Sequence, residues 1–324
     1  MTFAKMPSDK GIYIMAFFFN VGVSLTLILI PLYGLFLGYS ASLIGILLSI
    51  PGIAQISLRI FAGILSDHFG EKWMLFATFS GLLAAGLIFS FTYGFWGLAT
   101  AQFLMGVART IYWPTTQSYA SRIPDLEAPK VLGRLTGFVY IGQLLGFSSA
   151  GWIVASLGYF TAFNIIMVAG GMGLLMLSFL PAIPRSFEAS KEVSLKEIPA
   201  TLKQTSIVLA IVNAFLAGIA YSIASSFFPV WLEGLGYKEG TISLIFSLKL
   251  IGSVIAGTIY GNILKKMSLP LLLQLSLLVA GALFFLLAVA DNTLQATIIH
   301  LLFGFCSGLL VVSYQVLGVR SSSD

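Results

Sequence analysis

One cysteine, two histidines and a charged fraction of 9% in 324 residues leave most chemistries without material. Cys306 has no second thiol to pair with, which excludes a disulfide framework or a cysteine metal centre, and its apolar flanks mark it as a small core residue. Soluble domains carry about 25% charged residues, so a soluble fold is excluded. The net charge of +5 comes from basic residues that do not cluster on one soluble face, and no nucleic-acid partner is expected. Strict apolar alternation is missing too, which argues against a transmembrane barrel.

What is present is hydrophobic: 58% of the residues, in long continuous runs. A bilayer span takes about 20 apolar residues, so this length holds roughly ten spans and no soluble catalytic domain. The 33 glycines and 11 prolines lie inside the runs as much as between them, which membrane helices tolerate. The expected spans are Gly11 to Phe36, Ser42 to Ser66, Trp73 to Thr92, Phe95 to Ala120, Gly133 to Leu157, Phe160 to Leu180, Ile207 to Leu232, Thr241 to Leu264, Leu269 to Ala290 and Thr293 to Leu317. The first is too long for a cleaved signal. The fold class is therefore an all-α membrane protein, a polytopic helical bundle in the lipid bilayer.

The connections alternate in charge. One set carries Lys72, then Arg122, Lys130 and Arg134, then Arg185, Lys191, Lys196 and Lys203, then Lys265 and Lys266, then Arg320. The other set has Lys238 as its only cation. By the positive-inside rule about thirteen of the 17 Lys and Arg are cytoplasmic, and so are both termini. The mixed-charge stretch from Pro184 to Gln204 divides six spans from four. This predicts an N-terminal six-helix half over 1–183, a solvated cytoplasmic linker over 184–204 with regulation or partner binding as its alternative role, and an incomplete C-terminal half of four helices over 205–324.

An internal repeat supports the division. Pro31-Leu-Tyr-Gly-Leu-Phe-Leu-Gly38-Tyr39 after the first span is matched by Pro229-Val-Trp-Leu-Glu-Gly-Leu-Gly236-Tyr237 after the seventh. Ala62-Gly63 with Lys72 is echoed by Ala256-Gly257 with Lys265-Lys266, and Gln117-Ser118-Tyr119 by Val312-Ser313-Tyr314. Six is even, so the halves run in parallel, an arrangement known among secondary transporters.

The segment Gly63-Ile-Leu-Ser-Asp67-His68-Phe69-Gly70-Glu71-Lys72, in the loop after span two, resembles the Gly-x-x-x-Asp-Arg/Lys-x-Gly-Arg-Arg/Lys signature of the major facilitator superfamily (MFS). His68 and Glu71 depart from it. Gln102-Phe-Leu-Met-Gly106-Val-Ala108 resembles the family's Arg-x-x-x-Gly-x-Gly with Gln102 in the Arg position. Gly142-x-x-x-Gly146-Phe147-Ser-Ser-Ala150-Gly151 is similar to the proton-antiporter motif without its proline. The resemblance implies an MFS-type bundle of parallel six-helix repeats and a multi-pass transporter of the plasma (cell) membrane working by alternating access. It also implies a gating role for Gly63, Asp67, Gly70 and Lys72. Family members have twelve spans, so the chain is expected to be truncated after the tenth.

Polar residues at membrane depth are costly and usually face a cavity. Gln102, Arg109 and Trp113 share a face of span four with Gly106, and Arg109 can present a guanidinium beside an aromatic wall. Lys249 lies mid-span, too deep to reach the interface easily. Asn20 in span one and Asn213 in span seven are read as counterparts in the repeat, and an interhelical hydrogen bond explains an asparagine as well as a cavity does. Tyr140 and Gln143 on span five share that ambiguity. His300 is a titratable group or a packing residue, and Arg59 is read as snorkelling or gate structure. No acid lies deep in any span, so the expected partner is an anionic or polar small molecule, with Arg109 as anchor and Lys249 as a proton-linked switch. No catalytic residues, metal or other cofactor are expected: no Gly-x-Ser-x-Gly, His-Glu-x-x-His or phosphate-binding loop occurs. A non-transporting truncated paralogue or a membrane sensor stays open as the alternative.

Overall fold

The computed structural model describes residues 8–123, 128–181, 228–290 and 292–321, with the single positions Val208, Val212, Phe215 and Ile219. Its helices are α1 (Ser8–Phe36), α2 (Ala41–Phe69), α3 (Glu71–Phe91), α4 (Phe95–Ser121), α5 (Ala128–Phe179), α6 (Phe228–Gly234), α7 (Glu239–Leu264), α8 (Leu269–Ala288) and α9 (Thr293–Ser321). No strand occurs among the described residues. Seven helical stretches among them are long and apolar enough to cross a membrane. One of these, Gly137–Phe179, takes in parts of expected spans five and six and turns at Gly158, where φ is 77° and ψ 170°. Such a positive φ suits glycine, so one residue does the work of a loop. The helix α4 is long enough too, but Gln102, Arg109 and Gln117 dilute its apolar run. The linker 184–204 lies outside the described residues, as does most of the expected seventh span, of which α6 is the end.

The repeat holds at a constant separation of 198 residues. The ends of α1 and α6 are Phe36 and Gly234, and the starts of α2 and α7 are Ala41 and Glu239. Glu71 and Leu269 open α3 and α8, and Phe95 and Thr293 open α4 and α9. Cap geometry repeats with the boundaries. Tyr39 N–H donates to the Gly34 carbonyl at 2.9 Å and Tyr237 N–H to the Leu232 carbonyl at 3.1 Å, while Gly38 and Gly236 carry φ of 75° and 83°. That six-to-one bond with a left-handed residue is a Schellman cap, and it explains why Gly and the apolar Tyr recur together. The Ala62/Ala256 and Ser118/Ser313 echoes fall four and three residues out of this register. They are corrected here: by the caps and helix starts, Ala62 corresponds to Tyr260 and Ser118 to Val316.

The chain divides into two compact units. The first comprises Met1–Pro184 with Pro229–Leu244, the second Arg185–Phe228 with Ile245–Asp324. In the first, α1 is the central helix: Phe19, Leu25, Ile28, Leu29 and Ile30 are almost wholly buried. It packs chiefly on α5, whose Gly142 lies against the Phe17 backbone and whose Gly146 faces Val21 and Ser24. A β-carbon at Gly106 of α4 would stand 2.7 Å from the Pro51 Cα of α2. Small residues at these positions let helix backbones meet, which drives association where lipid removes the hydrophobic incentive.

In the second unit α7 and α9 cross in the same way. Gly304 lies against the Lys249 backbone, and Gly252 against Leu301 and Phe305. The two crossings are equivalent, since Pro51 and Gly106 map onto Lys249 and Gly304. Ser253 Oγ donates to the Gly304 carbonyl at 2.8 Å, and the Tyr260 and Ser313 hydroxyls bond at 3.0 Å. Outward-facing positions are apolar, including Ile56, Phe103, Leu278 and Phe285, as a lipid-facing surface requires.

Candidate functional site

In the first unit a polar chain joins three helices. Asn20 of α1 donates from Nδ2 to the Ala16 carbonyl at 2.9 Å and to the Tyr112 hydroxyl of α4 at 3.4 Å. Its Oδ1 accepts from Gln143 Nε2 of α5 at 3.2 Å. Asn20 is 1% exposed and both its amide hydrogens are used, so its role is to hold helices together. The Tyr112 ring lies flat on Phe19, 3.7 Å between centroids, which fixes the hydroxyl in place. Gln143 is only half buried and keeps an oxygen and one N–H to offer elsewhere.

The expected face of α4 splits. Gln102, 3% exposed, donates to the Leu47 carbonyl of α2 at 3.2 Å, on the same side as the Gly106 contact. Arg109 is half buried, while Trp113 and Tyr140 stay partly open at 38% and 36% exposure. The structure therefore separates Asn20 and Gln102, buried with their amides engaged between helices, from Arg109, Trp113, Tyr140 and Gln143, which are only partly buried or exposed.

The second unit brings Lys249 of α7 and His300 of α9 around the same rings. Lys249 Nζ stands 5.8 Å from the Phe246 centroid and 5.5 Å from that of Phe303. The His300 ring stacks on Phe228 at 4.2 Å with a 7° tilt, and also meets Phe246 at 5.5 Å and Phe303 at 6.4 Å. Lys249 is 4% exposed and His300 wholly buried. Neither ring nitrogen of His300 has a hydrogen-bond partner among the described residues. In the 198-residue register His300 takes the place of Gln102, whose amide is satisfied. An ammonium on two aromatic faces keeps part of its lost solvation, since ring quadrupoles attract cations. Asn213 lies outside the described residues; the register pairs Asn20 with Gly218 instead.

At the basic end of the first unit three helix termini are cinched together. Glu71, the first residue of α3 and 6% exposed, forms an ion pair with Arg122 at the end of α4 and accepts a 2.9 Å bond from Ser118 Oγ. Lys72 Nζ donates to the Leu180 carbonyl at 2.6 Å, and the Tyr119 hydroxyl to the Pro181 carbonyl at 2.8 Å, both just past the end of α5. A cation at orphan carbonyls also complements the helix dipole. Gly70 is the single residue between α2 and α3. Gly63 and Asp67 are helical in α2, with side chains outside the description. Sequence reading missed the Glu71–Arg122 pair. The signal was there, in an acid at an expected cation position and a cation ending span four. Tyr112 was missed as well, though it lies three residues after Arg109.

Comparison with known proteins agrees with this architecture. A family model described as Major Facilitator Superfamily matches residues 12–324. Multidrug resistance protein 2 of Bacillus subtilis is 23% identical over 296 residues, covering 86% of this chain and 72% of that protein. A multi-drug resistance efflux pump PmrA homolog of Lactococcus lactis is 24% identical over 314 residues, covering 93% and 77%. Among solved structures, the nucleoside transporter NupG superposes with a TM-score of 0.72 at 15% identity, covering 97% of this chain and 82% of that one. A bacterial homolog of the human lysosomal transporter Spinster gives 0.70 at 12% identity, covering 97% and 78%.

Proposed function

The chain belongs to the Major Facilitator Superfamily and is a multi-pass integral membrane transporter of a small-molecule substrate, not an enzyme, and from that premise we propose that it moves an anionic or polar, hydrogen-bonding solute, coupled to protons. The observation that carries this reading is the convergence of Lys249 and His300 on Phe246 and Phe303. Two basic side chains held in one desolvated enclosure repel each other when both are protonated, so an anion or the departure of a proton relieves the site. Arg109 supplies a second, permanently charged anchor in the N-terminal half, with Trp113, Tyr140 and Gln143 beside it as cavity-lining groups.

Alternating access proceeds by rocking of two halves, 1–183 and 205–324, joined by the linker 184–204. The membrane is the plasma membrane, with the basic loops and both termini cytoplasmic. Gly63, Asp67, Gly70 and Lys72 belong to the inward gate. The test is Arg109→Gln and Lys249→Gln assayed for uptake and efflux of organic anions, sugars and cationic drugs, with and without a proton gradient. Loss of anion or sugar movement with both substitutions supports the reading; cation transport that survives both sinks it. A second reading, export of drugs, draws on the names of the Bacillus and Lactococcus relatives, and the same panel separates the two.

A further inference from the structure

The first unit holds a cavity of about 550 Å³ at the end opposite the basic loops, between the outer ends of α1, α3, both arms of α5 and the start of α7. Its walls are aromatic. Tyr33, Phe89 and Phe163 form the floor, each under 5% exposed, while Tyr159 and the 75% exposed Tyr93 stand at the sides. These rings are interlocked: Tyr33 meets Tyr159 at 4.9 Å and Phe163 edge-on at 5.1 Å, and Phe163 stacks on Phe89 at 5.3 Å. The Tyr33 hydroxyl is tied to the Thr92 carbonyl at 3.3 Å. The walls are thus set by packing already made, leaving the space between them to a ligand.

Among the described residues, Glu239 is the only charged one lining the cavity. It is the first residue of α7 and has no ion-pair partner among the described residues. A carboxylate facing several aromatic rings, with no cation in the wall, is complementary to one class of ligand. Ring faces and the carboxylate attract positive charge, and the apolar volume takes a bulky hydrophobic body. An anion meets repulsion from the same groups. The cavity shares no residue with Arg109, Lys249 or His300.

We propose that this aromatic cavity is a binding site for a single bulky organic cation, held by Glu239 and the surrounding rings and separate from the polar solute site. The proposal does not rest on the identity of the transported solute or on the orientation of the chain, because binding is read on the purified protein. The probes are tetraphenylphosphonium and tetraphenylborate, ions of nearly equal shape and opposite charge, titrated calorimetrically into the full chain in nanodiscs. Tetraphenylphosphonium should bind with the higher affinity. Glu239→Gln and Tyr93→Ala should each weaken it about tenfold, with Arg109→Gln and Lys249→Gln leaving it unchanged. Glu239→Asp, which keeps the charge, serves if the glutamine variant fails to fold, and it should retain most of the affinity. Equal binding of the two ions would mean an apolar slot for lipid, and would overturn the proposal. So would an absence of phosphonium binding, or binding indifferent to Glu239 and Tyr93.

Discussion

Arg122 at the end of α4 holds Glu71 at the start of α3 in an ion pair, reinforced by Ser118 one turn earlier. The superfamily signature that this loop resembles has a cation where Glu71 stands, so here the charges of the clasp run from acid on α3 to base on α4. Arg122→Gln leaves a nearly buried carboxylate with one hydroxyl partner, and losing a charged hydrogen bond of this kind costs about 2 kcal/mol. The thermal midpoint in detergent should fall by several degrees for Arg122→Gln and for Glu71→Gln. Glu71→Arg combined with Arg122→Glu should recover most of the loss. A swapped protein as unstable as the single variants shows that the pairing itself is not what stabilises this end.

The two glycine crossings should be intolerant to the same degree, because they are one crossing built twice. Gly106→Leu pushes on Pro51 and Gly304→Leu on the Lys249 backbone, neither of which is the free end of a flexible side chain. Both should yield aggregated protein on size exclusion. Gly281→Leu on α8, where a β-carbon meets nothing within 4 Å, should elute as the parent does. Normal behaviour of Gly304→Leu would argue against the close α7–α9 approach.

His300 should be a stability defect kept for its use. A buried ring nitrogen without a partner costs about 1–3 kcal/mol. His300→Phe, surrounded by Phe228, Phe246 and Phe303, should therefore raise the thermal midpoint while lowering proton-driven transport. A lower midpoint means that the imidazole makes a bond that phenylalanine cannot replace.

Orientation follows from the charged loops. A cysteine introduced at Ser40 or Gly94, in a chain with Cys306→Ala, should react with an impermeant thiol reagent applied to sealed cells. One at Ser190 should react only after permeabilisation. Labelling of position 190 from outside reverses the topology.

Helix limits were legible because a lipid-spanning run ends where its apolar residues end: Phe36, Phe95 and Leu269 fall where the sequence puts them. The recurrence of Gly38-Tyr39 as Gly236-Tyr237 was legible because the segment is short and contiguous, whereas its role as a helix cap came from the backbone bonds and the positive φ. The later echoes misled, because Ala-Gly and Ser-Tyr pairs are common in so biased a composition and fell three or four residues out of the 198-residue step that Pro31 and Pro229 already keep. The division of polar residues was not legible. Asn20 and Gln143 lie 123 positions apart, and only the approach of α1 to α5 shows that the asparagine's hydrogens are already committed. The aromatic cavity escaped because Tyr33 comes from the last turns of span one and Tyr93 and Tyr159 from two separate connections, and each looks like an ordinary interfacial aromatic alone.

Gly158 makes the outer connection between the two arms of α5 a matter of one residue. No loop separates the two arms, so any change in the angle between them has to be taken up by the Gly158 dihedrals or by bending of the arms themselves. The first arm grips α1 through Gly142 and Gly146, and the second grips α3 through Gly170 against Leu83. A one-residue joint thus stands between the arm that meets α1 and the arm that meets α3, the helix whose first residue is Glu71 of the clasp.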